Sequence, residues 1–303
     1  MIICAYESRR RIDAAIASLR GQDLDERFEV IAVVSGKDGT AEHLADRHPH
    51  VRVIRSTHRL YPGAARNTGV LASRGRFIAF LPDDCVADAS WLRLRVAKHR
   101  AGYPLVSGAI SNATPYSPVG TACYYVEYAA SMPVKGLLEK QPIPHTVSYH
   151  RDVFRRVGHF PEVEHAGEDT LFNARCLAQG LEVGYEPRAC IGHINLTSFR
   201  AFVSHQSHHG RGLARCVYDH GLKGPYENRR SMLLAAYPAL VRYPVWRWRA
   251  TVRLVAHAGP RHLARFLAVT PLVLAGYFAG GIGTLREIWS SAGLPDATAR
   301  DRS

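Results

Sequence analysis

The sequence predicts an α/β protein built around a mostly parallel sheet. Short apolar runs alternate with helix-forming segments through the first half of the chain, the pattern of strands and crossover helices in such a sheet. The expected strands cover residues 2–5, 30–34, 51–54, 77–81 and 105–110. The expected helices cover residues 11–19, 41–47, 64–73, 90–99, 152–157 and 169–179. Strand 77–81 is a continuous apolar run, as expected where both faces of a sheet are covered.

Composition limits the partners that the chain can have. Its 303 residues suffice for one sizeable α/β domain and an appendage. Lys and Arg outnumber Asp and Glu by 39 to 26, which favours an anionic partner such as a nucleotide diphosphate or an acidic membrane surface. The basic residues are spread widely and accompany no nucleic-acid-binding motif, so we do not expect nucleic acid as a partner.

The cysteines and the amino terminus bear on the compartment that the folded domain faces. The six cysteines are scattered and form no C-x-x-C pair, which is typical of reduced, buried thiols rather than of a disulfide framework. Met1 leads directly into an expected strand without a signal-peptide pattern. We therefore expect the folded domain to face the cytosol.

Two adjacent carboxylates, Asp83 and Asp84, follow the apolar strand 77–81 directly. In open α/β sheets, ligands bind outside the carboxyl ends of the strands. Carboxylate oxygens are hard ligands that suit Mg²⁺ or Mn²⁺, so the pair predicts a divalent cation and a phosphate-bearing ligand. The alternative is an Asp pair that caps the next helix or loop, which acidic residues often do.

The block around these carboxylates resembles the core of family 2 glycosyltransferases, which have the GT-A fold. The family's pattern is roughly G-A-A-R-N-x-G, a buried strand, an Asp-x-Asp-type metal motif and a downstream Trp-Leu. This chain has GAARNTG at residues 63–69, then PDD at 82–84 and WL at 91–92. The resemblance covers about residues 1–215. It implies a GT-A fold with a Rossmann-like mixed sheet, followed by a C-terminal hydrophobic helical segment.

The resemblance implies a metal site in this block. Asp84 is expected to hold a divalent metal, Mn²⁺ or Mg²⁺, against the phosphates of the donor, and Asp83 to contact its ribose or sugar. Pro82 stands where the family usually has its first Asp. His193 follows a short strand-like run, where many members have a His that completes the metal site. A His that caps a strand end is the alternative at this position.

A second acidic pair, Glu168 and Asp169, opens an expected helix. Carboxylates are favoured at helix N-termini by the dipole and by free N–H groups, so helix capping is the plain interpretation. In the family, a Glu-Asp pair at this place supplies the catalytic base. By resemblance, Asp169 would deprotonate the acceptor hydroxyl and Glu168 would orient the donor or the acceptor.

Five further residues are candidates for binding the donor. Tyr6 lies where the family contacts the nucleotide base, and Ser35 replaces the Asp that usually ends the second strand. Arg66 is a candidate for donor contact, with a salt-bridged helix Arg as the alternative. Gln206 and Arg211 resemble the family's Gln-x-x-x-Gly-Arg pattern, in which the Arg could bind the diphosphate. The Gln-x-x-Arg-Trp signature of processive members is absent, which favours addition of a single sugar.

The composition changes near residue 225, so we expect a glycosyltransferase domain over residues 1–225 and a hydrophobic, basic helical region over 226–303. Residues 266–285 carry no charge and could just span a bilayer. The alternative is a hairpin of buried helices. Pro271 and four glycines in the segment are tolerated in membranes. We expect a peripheral or single-span protein at the cytoplasmic side of the cell membrane.

The leading hypothesis is an inverting, metal-dependent glycosyltransferase of cell-envelope polysaccharide biosynthesis. It would move one sugar from a UDP- or GDP-sugar to a hydroxyl of a glycan or of a lipid-linked acceptor. A non-catalytic scaffold that binds sugar nucleotides or glycans is the main alternative, because Pro82 and Ser35 depart from the family at ligand positions. A nucleotidyltransferase on a related fold is less consistent, because the loop after the first strand contains no glycine.

Overall fold

A computed structural model describes residues 1–163, 166–222 and 238–292 of the chain, with side chains described for residues 240–290 of the last range. The expected domain boundary near residue 225 lies outside the described residues. Within them the architecture is mixed α/β.

Eight strands lie in the described residues, and those that begin at residues 2, 31, 52, 77 and 105 match expected strands. The eight strands are β1 (Ile2–Tyr6), β2 (Ile31–Ser35), β3 (Arg52–Arg55), β4 (Phe77–Ile78), β5 (Cys85–Ala87), β6 (Leu105–Asn112), β7 (Val147–His150) and β8 (Val183–His193). The helices of the first half alternate with them. They are α1 (Ile12–Arg20), α2 (Thr40–Arg47), α3 (Pro62–Ala72), α4 (Trp91–Arg100), α5 (Pro118–Tyr128), α6 (Asp152–Val157) and α7 (Glu168–Ala178).

The second half is helical after β8. It contains α8 (Phe199–Tyr218), α9 (Tyr243–Ala258), α10 (Pro260–Ala268) and α11 (Thr270–Ala292), with a π-helical turn at Pro238–Arg242. Two short 3₁₀ turns, Ala129–Ser131 and Leu138–Lys140, lie between α5 and β7.

The strands form two sheets. The first is parallel, in the order β1-β2-β3. The second is mixed, in the order β4-β7-β6-β8-β5, with β6 and β8 parallel and the other pairs antiparallel. The carboxyl ends of β1 and β2 therefore meet at one edge, while the antiparallel β5–β8 pair brings the start of β5 to the end of β8.

The expected strand 77–81 is divided between the two sheets. Only Phe77–Ile78 is a regular strand, paired with β7. Beyond it, Ile2 donates a backbone hydrogen bond to Ala79, and Leu81 donates one to Ile2. The run is buried as its apolar character predicted, but its hydrogen bonds change partner halfway, so a regular strand does not extend through to the carboxylates.

Residues 111–150 contain structure that the sequence did not predict, namely α5 and β7. All of residues 120–126 in α5 are buried, so this helix has no polar face and no amphipathic period to detect. Strand β7 is short and is buried between β4 and β6.

The described chain divides into two units. The first contains residues 1–116, 128–164 and 168–195, and the second contains 117–127, 165–167 and 196–303. An aromatic cluster lies in the core of the first unit, where Tyr149, Phe154, Phe160 and Phe172 pack with ring centroids 4.3–5.9 Å apart. This cluster lies between the first-sheet helix α3 and helix α7, and so fixes the positions of the residues that these helices carry.

In the second unit, small residues allow α8 and α11 to pack closely. Gly210 of α8 faces the backbone of Gly280, and Gly283 of α11 faces the backbone of Ser207. Thr284 donates a hydrogen bond to the carbonyl of Gly210 at 3.0 Å. The uncharged stretch 266–285 is shared between α10 and α11, which are bent by 69°. Within the described residues, no single helix has the length and hydropathy of a membrane span. Only α10 and α11 taken together, as this bent pair, have both.

Replacing Gly63 by Ala should destabilise the first unit. A Cβ at Gly63, in α3, would overlap the carbonyl oxygen of Pro161, and backbone atoms cannot move aside cheaply. We expect a loss of about 1–3 kcal/mol in the free energy of urea unfolding, despite the better helix propensity of Ala. Gly21→Ala is the control, since its Cβ would meet only an oxygen 4.0 Å away. Equal stability of the two variants would contradict the close approach of α3 to Pro161.

Candidate functional site

The carboxyl edge of the parallel sheet carries Tyr6 and Ser35. The register pairs these two residues at the ends of β1 and β2. Ser35 is buried, whereas the ring of Tyr6 is partly exposed. The guanidinium of Arg59 lies 4.6 Å from the ring centroid of Tyr6 and 4.8 Å from that of Tyr61. The edge thus presents two aromatic rings around a cation, which offers flat surfaces for a planar ligand.

Asp83 is buried and held by two donors. Ser8 donates its hydroxyl to Oδ2 of Asp83, and Arg11 donates Nε–H to the same oxygen at 2.9 Å. Burial, and then the neighbouring charge of Asp84, raises the pKa of Asp83, while Ser8 and Arg11 oppose the rise. This carboxylate is therefore tied to the loop after β1, and its position is fixed by that loop.

Asp84 and His193 form a candidate metal centre. The β5–β8 register pairs Cys85 with His193, which brings the imidazole to the carboxylate that precedes β5. Nε2 of His193 lies 3.7 Å from Oδ2 of Asp84, and the two residues form a group with Cys85 whose ligand atoms lie within 4.8 Å of one another. Burial, and then the charge of Asp84, raises the pKa of the Cys85 thiol well above its usual value, so a thiol and not a thiolate faces this group.

Hydrogen bonds orient His193 for ligation. Its Nδ1 lies 3.0 Å from Oδ1 of Asn195, and the amide group of Asn195 donates to Asn112 at 2.9 Å, which fixes the oxygen toward the imidazole. An amide oxygen only accepts, so Nδ1 carries the proton and Nε2 presents its lone pair. Tyr128 places its hydroxyl 3.1 Å from Nε2. One carboxylate and one oriented imidazole fit a divalent cation that takes its remaining ligands from a substrate.

Arg66 and Glu168 form a buried ion pair. Nη1 of Arg66 donates to Oε1 of Glu168, with side chains only 21% and 6% exposed. The guanidinium also lies over the rings of Phe80 and Phe160, at 5.7 and 5.4 Å from the centroids. Burial opposes the charge of Arg66, but Glu168 and Asp169 together raise its pKa. The pair joins α3 to the first turn of α7.

Asp169 is the adjacent residue on α7 and is more accessible, with 34% of its side chain exposed. Its Oδ2 lies 3.9 Å from Nδ1 of His145. Burial alone would raise the pKa of Asp169, but His145 and then the charge of Arg66 hold it far below its usual range. Its Oδ1 accepts a hydrogen bond from the N–H of Thr170 at 2.7 Å. Asp169 is therefore an ionised carboxylate with His145 at one oxygen and Thr170 at the other, and with a third of its side chain exposed.

Cys4 of β1 lies near charged groups from both acidic pairs. Burial is the main reason that the pKa of the Cys4 thiol rises to about 12, and the charges of Arg66, Glu168 and Asp83 also act on it. Residues from α3, α7 and the loop before β5 therefore lie around the same part of β1. The structure thus brings together eight of the predicted residues in the first unit, at or near the ends of its strands.

The two remaining candidates, Gln206 and Arg211, lie on α8 of the second unit. Gln206 is buried and donates its amide to Oε1 of Glu127 at 2.5 Å. Nε of Arg211 donates to Oε2 of Glu287 at 2.8 Å, and Nε of Arg215 donates to Oε1 of the same carboxylate at 2.6 Å. In this structure the guanidinium predicted to bind a diphosphate is engaged with a buried carboxylate of α11.

Sequence reasoning missed several residues that organise these groups, chiefly Arg59, Tyr128, His145 and Asn195. Tyr128 and His145 lie in the segment without recognisable periodicity, so no pattern indicated them. Asn195 had a local signal, because it lies two residues after His193 in the same strand end. A short polar side chain at that spacing can hydrogen-bond the imidazole, but only the fold shows that it does.

Two solved structures superimpose on this chain over most of its length. A mannosyltransferase from Pyrobaculum calidifontis, solved with GDP-Man and Mn²⁺, superimposes with a TM-score of 0.60 at 18% identity, covering 94% of this chain and 86% of that one. TarS 1–349 from S. aureus, solved with UDP-GlcNAc, gives 0.54 at 16% identity, covering 96% and 91%. The fold is therefore GT-A.

The model of the glycosyl transferase family 2 matches residues 1–158, and this chain belongs to that family. The pre-mycofactocin glycosyltransferase of Mycobacterium tuberculosis is 28% identical over 216 residues, 68% of this chain. That alignment covers 44% of the mycobacterial protein, so the chain spans less than half of its length. Glycosyltransferase AglE of Haloferax volcanii is 26% identical over 215 residues, 66% of this chain and 70% of AglE.

Breaking the buried pair between Arg66 and Glu168 should cost more than breaking an exposed one. In Glu168→Gln, a largely buried guanidinium loses its anionic partner, so the free energy of urea unfolding at pH 7 should fall by about 2–4 kcal/mol. The double variant Arg66→Met/Glu168→Leu should recover most of that loss, because no charge is left buried alone.

Glu42→Gln is the matched control, since it breaks an Arg–Glu pair whose side chains are both 58% exposed. This change should cost less than about 1 kcal/mol. A loss in Glu168→Gln as small as that of the control would show that the buried pair does not hold α3 to α7.

Proposed function

We propose that this protein is an inverting glycosyltransferase that moves a single sugar from a nucleotide-diphosphate sugar to an acceptor hydroxyl, with Asp169 as the general base. The observation that carries the proposal is the state of Asp169: an ionised, accessible carboxylate at the start of α7, beside a buried Arg–Glu pair. Family membership gives the reaction class, and this geometry supports Asp169 as the base.

The donor would bind along the carboxyl edge of the parallel sheet. Tyr6 offers a ring for stacking with the nucleotide base, and Ser35 lies next to it in register. Arg59 is close enough to contact the base or the phosphates. Asp83, fixed by Ser8 and Arg11, would accept hydrogen bonds from the ribose or the sugar hydroxyls. Gln206 and Arg211 remain donor-binding candidates, with Arg211 required to exchange Glu287 for phosphate.

Asp84 and the oriented Nε2 of His193 are the proposed ligands for the divalent metal, Mn²⁺ or Mg²⁺. When bound, the cation supplies positive charge that neutralises the departing diphosphate. Pro82 removes one carboxylate that the family pattern would offer, so the protein would contribute a small ligand set, and phosphate oxygens and water would complete it.

In the transfer step, Asp169 accepts the proton of the acceptor hydroxyl while the oxygen of that hydroxyl attacks the anomeric carbon. The bond from that carbon to the diphosphate oxygen breaks on the opposite side, its electron pair leaves with the nucleoside diphosphate, and the configuration inverts. A carboxylate is far less basic than an alkoxide, so proton transfer accompanies bond formation rather than preceding it. Glu168 acts indirectly, by holding Arg66 beside the base.

Similar proteins support the classes of donor and acceptor. Solved neighbours contain GDP-Man or UDP-GlcNAc, and a relative from Rhizobium meliloti, 29% identical over 204 residues, is a succinoglycan biosynthesis protein. We propose a UDP- or GDP-sugar as donor and a polysaccharide or lipid-linked glycan as acceptor. Such acceptors occur at membranes, so we also propose that the protein works at the cytoplasmic side of the cell membrane, in envelope polysaccharide biosynthesis.

Thermal stability should reveal the donor and its metal requirement. At a concentration one hundred times its dissociation constant, a ligand adds about 2.7 kcal/mol to the stability of the folded state. We expect one UDP- or GDP-sugar to raise the melting temperature with Mn²⁺ or Mg²⁺ and to lose most of this effect in EDTA. Asp84→Asn should lose the metal-dependent part of the shift. A shift that is unchanged in EDTA and in this variant would contradict the metal site.

Replacing Asp169 by Asn should abolish turnover without abolishing donor binding. The amide cannot take a proton, so kcat should fall by about 10²–10⁴-fold with the donor-induced thermal shift retained. Asp152→Asn is the control, because Asp152 also lies in the first turn of a helix but is exposed. Full transfer activity of Asp169→Asn at saturating substrates would exclude this residue as the base. Donor binding without turnover in the unaltered protein would favour a non-catalytic scaffold.

A further inference from the structure

The apolar stretch 266–285, first considered as a membrane segment, has partners within the protein. On α11, Gly276 lies against the ring of Phe202, and Gly280 lies against Gly210 of α8. Tyr277 is buried, and its hydroxyl is 2.7 Å from Oγ1 of Thr251 on α9. Much of the low polarity of this stretch is therefore explained by close helix packing.

A different surface of the second unit has the composition of a membrane-binding face. Arg242, Trp246, Arg249 and Arg253 are spaced by four, three and four residues, which places them on one side of α9 and its preceding turn. All four are exposed, Trp246 by 57%. We call them the arginine–tryptophan face. The opposite side of α9 is buried through Pro244, Thr251 and Val255, so the helix is held in place with this face outward.

The stretch of chain that carries this face is basic throughout. Residues 238–286 contain seven arginines and no aspartate or glutamate. Exposed arginines without neighbouring acids attract anionic surfaces, and tryptophan is favoured at the boundary between headgroups and acyl chains. Val245 adds an exposed apolar side chain beside Trp246. A bilayer interface can bury both, whereas the phosphate backbone of a nucleic acid offers them little apolar surface.

We propose that the arginine–tryptophan face docks the protein on the surface of an anionic bilayer, with α9 lying in the interfacial plane. The side chains of its three arginines and of Trp246 would contact headgroup phosphates and the first methylenes of the acyl chains. Stretch 266–285 then stays packed within the protein. The inference deepens the proposed function by naming the surface at which a lipid-linked acceptor would be met, and its test requires no turnover.

Co-sedimentation of the full chain with vesicles tests the docking. We expect binding to vesicles of phosphatidylglycerol and phosphatidylcholine, little binding to phosphatidylcholine alone, and release by high salt. An arginine near an anionic surface contributes about 1 kcal/mol, so losing two should weaken partitioning roughly 20- to 30-fold. Arg249→Glu/Arg253→Glu should show at least this loss. Trp246→Ala should show a smaller loss of vesicle binding, of a kind that raising the salt concentration does not reproduce.

Arg27→Glu/Arg47→Glu is the matched control, because it makes the same change in net charge at exposed arginines of the first unit. It should bind vesicles almost as well as the unaltered chain. All variants are first checked for an unchanged melting temperature and an unchanged donor-induced shift, which separates loss of docking from loss of fold or of the donor site.

Three outcomes would overturn the inference. An equal loss in the control pair would show that only net charge matters. Binding to RNA with no binding to anionic vesicles would identify a nucleic acid as the partner of this face. Retention of the protein in vesicles after alkaline carbonate extraction, in the unaltered chain and in Arg249→Glu/Arg253→Glu alike, would show that a segment such as 266–285 is inserted instead.

Discussion

The buried ion pair between Arg66 and Glu168 is the interaction on which the candidate site depends. It links α3, which follows the first parallel sheet, to α7, which carries Asp169. Taking both charges out of water is costly, and the contact with Phe80 and Phe160 shows that the guanidinium has little other solvation. Its effect is to place a cation near Asp169, where His145 and then the charge of Arg66 lower the pKa of that carboxylate.

The two acidic pairs of the chain have a common organisation. In each, one carboxylate is buried and fixed by basic or hydroxyl donors, namely Asp83 by Ser8 and Arg11, and Glu168 by Arg66. The neighbouring carboxylate, Asp84 or Asp169, keeps about a third of its side chain exposed. Adjacent residues of the chain thus differ in environment, since one is fixed by neighbouring donors while the other stays partly accessible.

The second unit is stabilised by different interactions. Its helices approach through glycines and are joined by the bond from Thr284 to Gly210 and by Glu287, which accepts from Arg211 and Arg215. A carboxylate buried in this way needs both guanidinium groups, because an unpaired charge would be expensive in the interior. On α9, Arg249 and Arg253 are exposed, whereas Arg247 donates to the backbone carbonyl of Val126 at 2.9 Å. The fold, and not position in the sequence, therefore decides which basic side chains of this helix reach solvent.

The sequence by itself determined the α/β class, most strands and helices of the first half, and the positions of both acidic pairs, because apolar periodicity and strand-end carboxylates are local properties. Family motifs at 63–69, 82–84 and 168–169 identified the glycosyltransferase family for the same reason. The fold alone decided what lies around those residues. Helix α5 was hidden because it is buried on every side, and strand 77–81 was divided because its two halves hydrogen-bond to different sheets. The partners Arg59, Tyr128 and His145 are distant in sequence from the groups they contact, and only tertiary packing brings them there.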